Sequence, residues 1–252
     1  MSSWWSVAAV LSTALMMSGP VARAGEIRVL SPSAMHASLE ALAESYRLQS
    51  GDEVKVAFET APALAKKLAA GAVADVIIAP PATMDSIVKM GKADPAGRFD
   101  LGRVGVGVVV RENAPIPDIS STEALKRAVL DADSVVYNRA SSGLYVERLM
   151  EKLGLAEKIR DKTLRHHDAQ EEFTHLLNGK GREIGFGGLT EIARWRDKGL
   201  RLVGPLPENI QNYTVYAVAL AFDPPNPRGA QALLRFLASP AAKAVLKANG
   251  VD

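Results

Sequence analysis

Apolar positions along the chain follow two alternating rhythms. Short apolar runs at 27–30, 54–58 and 76–79 read as strands buried in a sheet. Each is followed by apolar residues three or four apart, which read as one face of a helix: Met35, Leu39, Leu42 and Tyr46 after the first run, then helices at 63–70 and 84–90. The opening unit is therefore a strand, a tight turn at Ser31-Pro32-Ser33 and a helix. Ser33 is placed to cap that helix and Gly51 to end it in a left-handed conformation. The first turn of any helix leaves backbone N–H groups unpaired and carries a partial positive charge. The turn from Ser31 to Met35 can therefore hold an anion, although a serine that merely caps the helix would look the same.

The valine-rich segment 101–111, with three glycines, predicts a long strand that crosses into a second lobe. There the alternation resumes: helix 122–130, strand 134–137, turn 138–142, a helix from Gly143 to Leu153, helix 169–177, strand 183–186, helix 189–196 and strand 200–203. A second long apolar strand at 213–222 carries the chain back, and helices 227–238 and 240–249 complete the first lobe. The pattern predicts an α/β protein of two lobes, residues 25–105 with 217–252 and residues 106–216. Each lobe is a mixed, mostly parallel sheet flanked by helices, and the two crossing strands form a hinge. Ligands of such sheets bind at the carboxyl ends of the strands, here residues 31–34, 59–62 and 80–81.

Composition narrows the picture. With 48% hydrophobic residues the 252-residue chain has ample material for a core. Residues 4–17 are mostly apolar yet too short for a membrane span, and Ala22-Arg23-Ala24 before Gly25 is a cleavage pattern; residues 1–24 read as a signal peptide cleaved after Ala24. Removing them takes away Arg23 and no acid, so the formal charge falls from +2 to +1, a balance that points to neither nucleic acid nor a membrane surface. The absence of cysteine excludes disulfides, thiolate nucleophiles and cysteine-held metals. No histidine has metal-ligand spacing, so neither a metal nor a cofactor is expected.

The segments IRVLSPSAM, VAFETAPALAKKLAAGAVADVIIAP, SSGLYVERLMEKLGL, EIGFG, LVGPLPE and RFLASPAAKAVLKANG span the whole mature chain. Together they resemble the type II periplasmic solute-binding proteins, in particular the molybdate-binding branch and its relatives, some of which resemble a periplasmic aconitate isomerase. The resemblance implies a two-lobed periplasmic protein that closes around a small anion and delivers it to a membrane permease of the ABC type, acting as a monomer. It also implies ligand positions. The first serine of the molybdate binders falls at Ala34, beside Ser33 and Met35. The second falls at Ala61, beside Thr60, and a tyrosine position falls at Phe186. Two backbone donors fall near Ser142 and Ala169, and a main-chain donor survives any substitution but proline. Losing three hydroxyls, each worth about 1.5–3 kcal/mol to a charged guest, disfavours molybdate unless Ser33, Thr60 or Ser141 replaces them. A larger organic carboxylate fits the roomier, less polar pocket better.

Other candidates stand each beside a plainer explanation. Arg139 can clamp a carboxylate or be a solvated loop residue. Ser141 and Ser142, before Gly143, are expected to cap the helix they open. Arg103 either reaches the ligand or braces the hinge, Asn212 and Tyr213 sit at the second crossing, and Lys66 and Lys67 belong to a solvated face. Gly187 and Gly188 allow close backbone approach but match no nucleotide-binding pattern. If the protein is an isomerase, His36 on one lip of the cleft and the His167-Asp168 pair on the other are the candidates to move a proton. A ligand-sensing partner of a membrane receptor would use the same pocket. In every case main-chain amides from opposite lips must converge on one hollow that acidic side chains do not fill.

Overall fold

In the computed structural model, residues 25–252 are described; the expected signal peptide lies outside them. The order of elements is β1 (Glu26–Pro32), a 3-10 turn (Ser33–Met35), α1 (His36–Ser50), β2 (Glu53–Glu59), α2 (Ala61–Ala69), β3 (Val76–Ala79), α3 (Pro81–Lys89) and β4 (Phe99–Arg111). There follow α4 (Thr122–Asp131), β5 (Ser134–Asn138), α5 (Ser141–Lys152), β6 (Thr163–His166), α6 (Ala169–Asn178), β7 (Glu183–Gly188), α7 (Leu189–Ala193) and β8 (Leu200–Pro205). β9 (Tyr213–Leu220), α8 (Pro227–Leu237) and α9 (Pro240–Ala248) complete the chain.

The strands run in the order β2-β1-β3-β9-β4-β7-β5-β6, with β8 also on β4. The outer strands of each lobe are parallel, β1 with β2 and β3 in one and β5 with β6 and β7 in the other; pairings around β4 and β9 are antiparallel. β4 joins the lobes. Its first half pairs with β9 and its second half with β7 and β8, so a single strand passes from one sheet into the other. Where β9 leaves, the Gln211 side chain takes over the ladder: the Val106 N–H donates to its Oε1 at 3.0 Å and its Nε2 donates to the Val106 carbonyl at 3.0 Å.

Because side chains alternate across a strand, neighbouring apolar residues feed opposite faces. In the first lobe Ile78 and Val218 pack with Leu39, Leu42 and Leu233, while Ile77 packs with Leu64, Met84 and Ile87. In the second, Val108 and Val135 pack with Leu149 and Phe186, and Val109 and Val136 with Phe173 and Ile192. Leu246 and Val251 belong to the first lobe's core, so the chain does return there.

α1 buries Leu39, Leu42 and Tyr46 and ends at Gly51 with φ of 79°. α2 and α3 begin at Ala61 and Pro81, ahead of the expected 63 and 84, because Pro62 and Pro81 occupy first-turn positions that proline pre-organises. The expected caps are corrected. Ser33 caps nothing: a 3-10 turn intervenes before α1, and its hydroxyl instead lies 3.5 Å from the Glu59 carbonyl. Ser141 and Ser142 lie inside α5 and do not cap it; the turn before it is held by Asn138, whose Oδ1 accepts from the Ala140 N–H at 2.8 Å. Strand β6 was not foreseen, since its edge position leaves Leu164 exposed and removes the apolar alternation. The helix expected over 189–196 stops at Ala193 and passes into a 3-10 turn.

Candidate functional site

The carboxyl ends of β1, β2 and β5 bring three chain turns to one place between the lobes. Ser33 and Ala34 come from the 3-10 turn after β1. Thr60 and Ala61 come from the start of α2, and Ala140, Ser141 and Ser142 from the start of α5. All line one hollow of about 20 Å³, room for a water molecule or two. The lobes are thus closed, and a bond crosses between them: Thr190 of α7 donates its hydroxyl to the Ala34 carbonyl at 2.6 Å.

Two helix starts border this space with first-turn amides that lack an intrahelical partner. In α2 the Thr60 hydroxyl accepts from the Ala63 N–H and Pro62 has none, which leaves that of Ala61. In α5 the first intrahelical acceptor is the Ala140 carbonyl, taken by Leu144, which leaves those of Ser141, Ser142 and Gly143. Gly143 is obligatory. A β-carbon there would come within 2.6 Å of the Asn138 carbonyl carbon and closer to its oxygen, so only glycine lets α5 start so tightly against β5.

The rest of the wall is acidic and aromatic. Glu191, Glu59 and Tyr216 line the hollow, and among the described residues no lysine or arginine does. Glu59 is paired with Lys67 on α2. Glu191 is 6% exposed, and burial pushes its carboxyl up to about 7 despite the Gly188 N–H that it accepts from and the charge of Arg194. Behind it Glu172 is fully buried and held by the Asn138 side-chain amide, which donates to it at 2.6 Å; burial raises it well above the ordinary carboxylate range. The Tyr216 hydroxyl is raised by burial and then by the nearby Glu191 charge.

Residues 27–252 match the family of bacterial extracellular solute-binding proteins. The chain belongs to that family. It is 29% identical over 245 residues to an aconitate isomerase from a Pseudomonas species, covering 95% of this chain and 91% of that protein. The fold is that of the periplasmic molybdate-binding protein of Azotobacter vinelandii, at a TM-score of 0.75 and 18% identity over 90% of this chain and 98% of that one. A sulfate-binding protein from Mycobacterium tuberculosis superposes at 0.74 with 16% identity, over 90% and 86% of the two chains.

Of the ligand positions expected in this solute-binding protein, Ser33, Ala34, Thr60, Ala61, Ser141 and Ser142 share the hollow. Met35, Gly143, Ala169 and Phe186 are buried beside or behind it without lining it, and Phe186 is fully enclosed in the second lobe's core. Arg139 is exposed and not on the wall. Neither candidate histidine lines it. His36 stacks on Phe58 with ring centroids 4.0 Å apart and has Glu40 at 3.0 Å; burial, then Arg194, lowers it, so it is held neutral. The His167 side chain is 64% exposed, and Asp168 beside it is occupied in capping α6, its Oδ1 accepting from Glu171. Arg103 is not on the wall; it stacks over Tyr213 at 4.4 Å and pairs its backbone with Asp252. Lys67 is engaged with Glu59.

The residues that the sequence did not single out are Glu191, Glu172, Thr190, Tyr216 and Gln211. The nearest signal for Glu191 was the Gly187-Gly188 pair, because a β-carbon on Gly188 would lie 3.0 Å from the Glu191 Oε2. Among the described residues no group of three or more His, Asp or Glu side chains is placed to hold a metal ion.

Proposed function

We propose that this solute-binding protein captures a small anion, an organic carboxylate or an oxyanion, between its lobes in the periplasm and delivers it as a monomer to an ABC-type permease. Residues 25–105 with 217–252 form one moving unit and 106–216 the other, hinged at β4 and the Gln211–Tyr213 crossing. What supports this reading is that the first turns of α2 and α5, from opposite lobes, border one hollow lined with Ser33, Thr60, Ser141 and Ser142, where helix N-termini favour an anion. The hollow of about 20 Å³ is smaller than any such anion and is not the roomier pocket expected, so the lobes must part to admit the guest and close less tightly around it. The solute-binding family and the oxyanions named for its structural neighbours support the same class of ligand.

Thermal denaturation of residues 25–252 against a panel of oxyanions and di- and tricarboxylates tests it. A guest at one hundred times its Kd adds about 2.7 kcal/mol by mass action, which raises Tm by roughly 5–10 °C for a chain of this length. A panel in which no anion shifts Tm refutes the proposal.

A second function draws on a different feature. A carboxyl at about 7 inside the hollow is matched to general acid–base work near neutral pH, and the Pseudomonas relative is an aconitate isomerase. In that case Glu191, rather than His36 or His167, moves the proton of a bound tricarboxylate. Proton NMR of cis-aconitate incubated with the protein decides it: appearance of the trans isomer, lost in Glu191→Gln, supports turnover, and unchanged substrate leaves capture alone.

A further inference from the structure

An anion site walled by carboxylates poses a problem of charge. The donors around the hollow are neutral amides and hydroxyls, and the acidic groups face it from several elements: Glu191 from α7, Glu59 from the end of β2 and Tyr216 from β9. Behind Glu191 stand Glu172 on α6 and Asp168 at the α6 cap. Against them are Arg194, on the Glu191 side, and Lys67, already paired with Glu59. His36, which also faces Arg194, is held neutral. A charged guest pressed against an ionised Glu191 in so dry a space would be repelled, because like charges at close range disfavour one another's ionised forms.

We propose that the cleft takes up its anion together with one proton, shared between the Glu191 carboxyl and an oxygen of the guest. This rests on the anion-capture function above and deepens it by naming the guest's chemistry. The guest is the anion of a weak acid, a carboxylate first, whose oxygen is basic enough to share the proton with Glu191. Anions of strong acids, such as sulfate, gain less from the shared proton and bind more weakly. The proton enters from water as the lobes close and returns to water as they open; no bond to carbon forms or breaks. Burial, which raises the Glu191 carboxyl to about 7, acts in the same direction by favouring its protonated form. Thr190 ties closure to the same event: it is the neighbour of Glu191 on α7 and bonds the opposite lobe at Ala34.

Isothermal titration of residues 25–252 at pH 8 in two buffers of different ionisation enthalpy counts the protons. The probes are trans-aconitate, succinate and sulfate, none of which titrates at that pH. Uptake approaching about one proton per carboxylate bound is expected, with Kd weakening about tenfold per pH unit above 7. Glu191→Gln keeps an amide donor but cannot titrate, so its Kd should be flat over the same range. Carbon NMR of the Glu191 carboxyl in the unaltered protein, which needs no variant to fold, should show its midpoint moving up when the carboxylate binds. Carboxylate binding with no proton uptake, or uptake that persists in Glu191→Gln, overturns the proposal and leaves anion capture standing. Failure of all three probes to bind at pH 6 as well as pH 8 overturns capture and the shared proton together.

Discussion

The bond between Thr190 and Ala34 makes closure measurable. At 2.6 Å it is a well-formed hydrogen bond joining residues 156 positions apart, and both partners are buried. Thr190→Val keeps the shape of the side chain and removes the hydroxyl, so the Ala34 carbonyl is left unpaired whenever the lobes are shut. Leaving a buried acceptor unsatisfied costs about 1–3 kcal/mol. In an open form water satisfies that carbonyl, so the whole cost falls on the closed side of the equilibrium. The open-to-closed ratio then rises by roughly 5-fold to 150-fold for that range of energies, and a guest that binds only the closed form loses apparent affinity by the fall in the closed fraction, a smaller factor wherever the unaltered protein is mostly closed.

Two assays follow the effect from different ends. Small-angle scattering of unliganded Thr190→Val should give a larger radius of gyration than the unaltered protein, and saturating carboxylate should bring the two together. Titration should give the weaker Kd, while Thr190→Ser, which keeps the hydroxyl, should stay within a few-fold of the original. If Thr190→Val scatters like the unaltered protein and binds within twofold of it, the bond does not hold the lobes and the inference from its length and burial is wrong.

Gly143→Ala forces a β-carbon into the Asn138 backbone, which cannot rotate away, so α5 must shift; the overpacking cost of about 1–3 kcal/mol should lower Tm by roughly 3–10 °C in calorimetry and weaken anion binding with it. Asn138→Ala removes the donor to the buried Glu172 and the acceptor for the Ala140 N–H, and should destabilise by about 1–3 kcal/mol in denaturant titration; a midpoint equal to the original would show that Glu172 does not depend on it. The pH dependence has a definite sign. Glu191 rises from 4.5 to about 7 in the folded protein, so the native state binds more protons than the unfolded one across that window and stability falls as pH rises through it. The loss is roughly 3 kcal/mol at 1.36 kcal/mol per unit, and Glu172 acts in the same direction. Between pH 5 and pH 8 the unaltered protein should therefore lose more Tm than Glu191→Gln does; the same change in both proteins refutes the assignment. Carboxyls held below their ordinary range, such as Asp133 and Glu183, oppose this at lower pH, and His36 and His166, lowered by burial, oppose it inside the window, since the unfolded chain protonates them more readily.

The fold was legible because its signals are local. The face Leu39, Leu42, Tyr46 and the left-handed Gly51 can be read within one helix, and the apolar runs of β1, β3, β4 and β9 are long enough to stand out. Local rules failed where a neighbour in space supplies what the nearest residue was expected to supply. Serines at 33, 141 and 142 look like caps, yet Asn138 holds the turn before α5 and a 3-10 turn separates Ser33 from α1. The same distinction separates the visible half of the site from the hidden half. The hydroxyls and amides sit at strand ends, where an α/β pattern says ligands bind, so six of the expected positions meet at the hollow. Glu172 and Glu191 lie on short helices where acids are ordinarily solvated, and nothing in their own segments says otherwise. Glu191 shares its hollow with the turn at Ser33 and Ala34, more than 150 residues away. Gly188 is the exception that shows how such a residue can be found. A β-carbon there would press on the Glu191 Oε2 at 3.0 Å, so the glycine suits an acid turned inward at this strand-to-helix turn.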